Sequence, residues 1–83
     1  MSYDEIIISP CDGVIEQICV QENCRIYEWD SLFKIRTSDG DLETVSVGLS
    51  GLVRSLEVYE GEEVISGMVL VYIAEDLVVS GSD

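Results

Sequence analysis

The middle of the chain reads Arg36-Thr37-Ser38-Asp39-Gly40-Asp41-Leu42-Glu43, eight residues between two strand-like runs. Its central pair, Asp-Gly, is typical of a two-residue hairpin turn with positive φ, because glycine has no Cβ and aspartate tolerates the left-handed region. The flanking runs, residues 32–35 and 45–47, are rich in apolar and β-branched side chains. The pattern predicts a β-hairpin whose tip projects from a rigid base, where small β proteins often carry functional residues.

The rest of the chain predicts further short strands. Strand-like runs cover residues 5–9, 14–21, 26–29 and 32–35, and they are separated by turn signals at Pro10, at 11–13 and at Glu22-Asn23. No window shows sustained helical periodicity. The sequence therefore predicts an all-β fold.

The second half of the chain repeats the first. Gly51 lies 38 residues after Gly13, and with this offset the halves align without a gap. The alignment places Val53 on Ile15, Leu56 on Ile18, Val58 on Val20, Glu60 on Glu22, Gly61 on Asn23, Val64 on Ile26, Leu70 on Leu32 and Ile73 on Ile35. Two copies that each leave an apolar face unburied predict a pseudo-two-fold sandwich in which the copies bury both faces.

Length and charge limit the possible functions. Eighty-three residues with 47% hydrophobic content and a positive mean hydropathy predict one folded domain over 1–83, with a core at about 6–76 and a tail at 77–83. The balance of 17 acidic against 4 basic residues, a net charge of −13, argues against nucleic acid and anionic membranes as partners. A basic protein surface fits this charge better; the alternative is a solvated face that binds nothing.

Neither the N-terminus nor the cysteines indicate secretion. Residues 1–5 lack a basic segment, and no apolar run is long enough to span a membrane, so we expect a cytoplasmic protein of unknown oligomeric state. The three cysteines, Cys11, Cys19 and Cys24, are odd in number and irregularly spaced, and there is no histidine to complete a usual zinc site. We expect reduced, structural thiols and no bound metal.

The repeated halves resemble the biotinyl and lipoyl carrier domains. The second half carries the resemblance in Gly51-Leu52-Val53, in residues 56–64 and in residues 67–73, and the first half carries it in residues 9–15 with Ile18, Val20 and Ile26. The resemblance covers roughly 6–76 and implies a flattened barrel or sandwich of two pseudo-two-fold related four-stranded halves.

In that family, the hairpin between the halves carries a lysine, within an Ala-Met-Lys-Met motif in biotinyl domains, and biotin or lipoate is attached to its amine. The ungapped alignment places this lysine position on Asp39, with Thr37, Ser38 and Gly40 beside it. The resemblance therefore implies the carrier fold, while the tip residues Ser38, Asp39 and Gly40 predict that no cofactor is attached there. Lys34, the only lysine, falls on the body of a strand, where a snorkelling side chain is the ordinary expectation.

Other chemistry is poorly supported by the sequence. Asp39, Asp41 and Glu43 alternate like the start of a calcium loop, but a hairpin is too tight for one, and we expect solvated turn acids. Glu60, Glu62 and Glu63 predict a charged turn beside Gly61. Without histidine, no nucleophile has an obvious base, so we do not expect an enzyme.

Two features depart from the carrier pattern. Trp29 falls on Gly67, so an aromatic residue stands where the duplicate half has a glycine; Tyr27 and Trp29 are either contacts for a partner protein or a cover for the open end of the core. Residues 77–79 are either an added edge strand or a docking segment.

Three functions stay open. The first is an unmodified, non-enzymatic domain that binds or regulates proteins. The second is a genuine carrier modified at Lys34 or elsewhere, and the third is a lipoyl-like adaptor domain.

Overall fold

Eight short strands make up the fold, and none of the described residues is helical. The computed structural model describes residues 4–76. The first half provides β1 (Asp4–Ile8), β2 (Gly13–Ile18), β3 (Arg25–Ile26) and β4 (Ser31–Arg36), and the second half provides β5 (Leu42–Ser46), β6 (Gly51–Leu56), β7 (Glu63–Val64) and β8 (Val69–Glu75). The all-β prediction is confirmed, and the predicted tail strand at 77–79 lies outside the described residues.

The strands form two four-stranded antiparallel sheets. One has the order β1-β8-β6-β3, and the other has the order β5-β4-β2-β7. Each sheet therefore contains two strands from each half of the sequence. The predicted flattened sandwich is confirmed, and the two halves of the sequence are interleaved within it.

The register of pairing repeats with the offset of 38 residues. Asp4 pairs with Ala74 and Ile7 with Val71, just as Leu42 pairs with Arg36 and Val45 with Phe33. Loop hydrogen bonds repeat as well: the Ile18 amide donates to the Glu60 carboxylate (3.0 Å), and the equivalent Leu56 amide donates to Glu22 (2.9 Å). The duplication seen in the sequence is thus a duplication of backbone structure.

One hydrophobic core lies between the sheets. Its buried members come from both halves and are mostly equivalent pairs: Ile7 and Val45, Ile15 and Val53, Ile26 and Val64, Leu32 and Leu70, Phe33 and Val71, Ile35 and Ile73, together with Val58. Gly13 and Gly51 allow a close approach between neighbouring strands of each sheet, because a Cβ on Gly13 would collide with the carbonyl of Arg36 in β4 and a Cβ on Gly51 with the carbonyl of Ala74 in β8.

Two predicted strands are shorter than expected. The run predicted at 14–21 ends as β2 at Ile18, after a register shift between Ile15 and Gln17 against β4. The run predicted at 26–29 ends as β3 at Ile26. The chain turns there because Trp29 has a φ of 65°, which an extended strand does not allow.

Candidate functional site

The hairpin between β4 and β5 has a three-residue loop, Ser38 to Gly40. The Gly40 amide donates to the Thr37 carbonyl (2.9 Å), and the Thr37 amide donates to the Asp41 carbonyl (2.8 Å). Gly40 has a φ of 89°, whereas the only non-glycine residues of 4–76 with positive φ are Asn23 and Trp29. The two-residue turn with positive φ at both positions is therefore wrong; the hydrogen bonds describe a turn closed by a left-handed glycine.

Side chains at the base of the hairpin stabilise the loop. The Arg36 guanidinium donates to the Gly40 carbonyl (2.9 Å) and lies 3.4 Å from a Glu16 carboxylate oxygen, and the Asp41 amide donates to the Thr37 hydroxyl (3.2 Å). Ser38 and Asp39 are exposed, and their side chains make no hydrogen bond within residues 4–76. The two outermost side chains of the loop therefore lie in solvent.

The chemistry available at the tip is a hydroxyl and a carboxylate. Neither group can form an amide with the carboxyl group of biotin or lipoate, because that bond needs a primary amine. The chain's one lysine, Lys34, lies inside β4, half-buried between the buried Phe33 and Ile35, and it pairs with Gln17 and Thr44 of the neighbouring strands. Its amine is therefore on the side of a sheet and not at the apex.

A second exposed feature is the turn at residues 27–30, between β3 and β4. The Tyr27 amide donates to the Asp30 carboxylate (2.8 Å), the Asp30 amide donates to the Tyr27 carbonyl (3.0 Å), and the Trp29 amide donates to the Val47 carbonyl (2.8 Å). Tyr27 is 62% exposed and Trp29 is 69% exposed. These hydrogen bonds fix the turn, while both aromatic side chains remain largely in solvent.

The Trp29 ring rests on backbone and not over the buried core. A Cβ built on Gly48 would lie 2.7 Å from the ring atom Cζ2 of Trp29, so the missing side chain of Gly48 makes room for the ring. The sequence identified Tyr27 and Trp29 but missed Gly48. The available signal was the alignment, in which Gly48 falls on Pro10 just as Trp29 falls on Gly67.

The tip and the aromatic turn lie at opposite ends of one strand. β4 begins at Ser31, two residues after Trp29, and ends at Arg36, directly before the loop. Six extended residues span about 17 to 20 Å. The structure therefore keeps apart the two sets of residues that the sequence singled out.

The three thiols differ in their exposure. All three cysteines are free; Cys19 and Cys24 are exposed, and Cys11 is partly buried. Burial, followed by the carboxylates of Glu43 and Asp12, raises the pKa of the Cys11 thiol. A raised pKa keeps the thiol protonated at neutral pH, which makes it a poor nucleophile.

The acidic turns contribute to the fold. The Glu22 and Glu60 carboxylates accept hydrogen bonds from backbone amides of the opposite half, and the Glu62 carboxylate accepts one from the Tyr59 amide (2.9 Å). Within residues 4–76, no group of three or more metal-ligating side chains comes together. The described part of the chain also has no helix that could cross a membrane.

Comparison with known proteins gives a likeness of fold. No protein-family model and no curated protein matches the chain. A solved structure of a single-chain, multi-domain long-chain acyl-CoA carboxylase matches with a TM-score of 0.81 and 10% sequence identity, over 92% of this chain and 7% of that chain. The chain thus corresponds to a small part of a much longer enzyme. At this identity the likeness shows the fold alone, and it agrees with the sandwich predicted from the duplicated halves and with the fold that the resemblance implies.

Proposed function

We propose that this chain is an unmodified biotinyl/lipoyl-like domain that works by binding another protein. It attaches no cofactor and catalyses no reaction. The observation that carries the proposal is the tip of the β4–β5 hairpin, where Ser38, Asp39 and Gly40 stand at the outermost positions and no amine is present. A carrier needs an exposed amine there, so that a ligase can reach it and the attached arm can swing.

The remaining surface supports protein binding as the function. The chain has no histidine and its partly buried thiol has a raised pKa, so acid–base and nucleophilic chemistry lack their usual groups. The net charge of −13 disfavours nucleic acid and favours a basic protein surface. The exposed Tyr27 and Trp29 are the residue types that contribute most to protein interfaces.

The intact mass of the protein from its native source tests this proposal. We expect the mass of the unmodified chain. A mass increment of biotin or lipoate overturns the proposal, and peptide mapping then shows whether Lys34 carries the group. The matched control is the same measurement on Lys34→Arg expressed in the same cells, which removes the only lysine and keeps the charge.

A further inference from the structure

Trp29 occupies a backbone conformation that a bulky side chain rarely adopts. Its φ is 65°, and the equivalent residue of the second half, Gly67, has a φ of 91°. The surrounding hydrogen bonds are also equivalent: the Trp29 amide donates to Val47 and the Gly67 amide donates to Ser9, each at 2.8 Å. The second half thus shows that this turn forms with a glycine, and the fold itself does not require a tryptophan here.

The core does not benefit from the ring. Trp29 is 69% exposed and is absent from the buried cluster, so little of its apolar surface is removed from water. The ring instead has a shaped seat at Gly48, whose equivalent in the first half is Pro10. An aromatic residue that is exposed, has a strained backbone and packs on a glycine is typical of a site that contacts another molecule.

Acidic side chains surround this end of the molecule. Tyr27, Glu28, Gly48, Glu75 and Asp76 line one open cavity of about 420 Å³. Arg25 forms an ion pair with Asp76, and the Asp30 carboxylate accepts the Tyr27 amide. The side-chain carboxylates of Glu28 and Glu75 have no hydrogen bond or ion pair within residues 4–76, so their charges are available to a ligand.

We propose that Tyr27, Trp29, Glu28 and Glu75 form a docking surface for a basic, extended segment of a partner protein. Lysine or arginine side chains would lie against the aromatic faces, which attract cations, and close to the two carboxylates. The proposal rests on the protein-binding function above and names the partner's chemistry. A second copy of this chain is the poorer occupant, because both copies carry a charge of −13 and repel each other.

The single tryptophan reports binding without a label. We expect its fluorescence to change saturably when a capped peptide of sequence SRSKSRSKS is added, and to stay constant with the neutral peptide SQSQSQSQS. The affinity should fall as salt rises from 20 to 200 mM, because exposed charges are screened. No saturable response to the basic peptide at low salt overturns the proposal.

Two variants separate recognition from a structural role. Trp29→Gly copies the second half, so it should keep or raise the melting temperature and weaken peptide binding about tenfold or more in calorimetry. Tyr27→Ser, at an exposed position, should also fold and bind more weakly. A lowered melting temperature in Trp29→Gly, or unchanged peptide affinity in both variants, overturns the proposal.

Two double variants with the same net charge test whether the peptide binds beside the aromatic turn. Glu28→Gln with Glu75→Gln removes two charges beside the aromatic turn, and Asp39→Asn with Asp41→Asn removes two at the opposite end. We expect the first pair to weaken binding several-fold and the second pair to change it less than about twofold. Equal losses would mean that only the net charge attracts the peptide, which overturns the docking surface.

The outcomes also distinguish this inference from the proposed function. If the native mass is unmodified and no peptide binds, the docking surface is refuted and the proposal of an unmodified domain stands. If the mass shows a biotin or lipoyl increment and the peptide binds, the proposal of an unmodified domain is refuted and the docking surface stands. Sedimentation velocity in the absence of peptide tests whether a second copy of the chain binds this surface. Reversible dimers that Trp29→Gly abolishes would identify a second copy, and not a basic segment, as the ligand.

Discussion

At the residue scale, Asp39 lies at the outermost part of the hairpin with its side chain in solvent. The loop is held by the Thr37 backbone, by Gly40 and by the Arg36 guanidinium, and none of these contacts involves the Asp39 side chain. The fold therefore does not require an aspartate side chain at residue 39.

The substitution Asp39→Lys should leave the free energy of unfolding within about 0.5 kcal/mol of the original. The side chain touches nothing that holds the turn, and the change lowers the net negative charge. Urea denaturation measures the effect, with Asp39→Asn as the matched control for the lost carboxylate. A loss of several kcal/mol would contradict the exposed placement of the tip.

A glycine in the second half allows a sharper test at this scale. Gly61 has a φ of 90°, and a Cβ added there would have no atom within 4 Å. Gly61→Ala should therefore destabilise the fold by about 1 to 2 kcal/mol through backbone strain alone. Urea denaturation of Gly61→Asn is the control, because Asn23 holds the equivalent position at a φ of 70° and should cost less. Equal stability of all three proteins would contradict the left-handed conformation.

At the element scale, β1 shows how a run of like residues is divided between core and solvent. Ile7 is 9% exposed and faces Val71 across the strand pair, whereas Ile6 and Ile8 are 54% and 51% exposed. The equivalent positions in β5 are Thr44, Val45 and Ser46, which are polar, apolar and polar. The alternation of exposed and buried positions is therefore visible in the sequence of β5, whereas in β1 all three positions are isoleucine.

Ile7→Ala should cost about 3 kcal/mol, because it opens a cavity between the sheets. Ile6→Ala, one residue away, should cost about 1 kcal/mol or less, since half of the side chain is already in solvent. Chemical denaturation of the two variants side by side checks the register. Similar losses in both would mean that β1 is shifted by one residue.

The turn at 27–30 shows what the sequence could and could not predict at this scale. The alignment of Trp29 with Gly67 located the equivalent position, and both residues do have positive φ. It did not show that the strand predicted at 26–29 ends at Ile26, because the apolar and aromatic run Ile26-Tyr27 with Trp29 looks strand-like until the backbone conformation is known. The alignment of Gly48 with Pro10 marked only a difference between the halves, since the role of Gly48 depends on a ring from another part of the chain.

The fold as a whole was more predictable than its candidate site. Turn signals and a gapless repeat predict the strand-like runs and their equivalences, because burial in two related sheets constrains the same positions in both halves, and the resemblance to carrier domains supplies four strands for each half. The exposed tip and the aromatic turn carry no such constraint. Burial does not determine which residues stand there, and a single sequence therefore identifies them only as departures from the repeat.

At the scale of the whole molecule, neither half of the sequence forms a sheet of its own. β2 of the first half pairs with β7 of the second, and β3 pairs with β6. The core likewise takes its side chains from both halves. A single cooperative unfolding transition is the expected result of this interleaving.

The matching registers of β1–β8 and β4–β5 mean that the two ends of the molecule are interchangeable as sites for a chain break. Asp4 faces Ala74 just as Leu42 faces Arg36, so a circular permutant that opens between Gly40 and Asp41 and joins residue 74 to residue 4 through a copy of residues 37–41 should reach the same topology. Nuclear magnetic resonance of amide positions in β2 and β6 would check it, and a molten spectrum would contradict it. The loop and the termini would then exchange places, so that the one intact hairpin tip lies between β8 and β1.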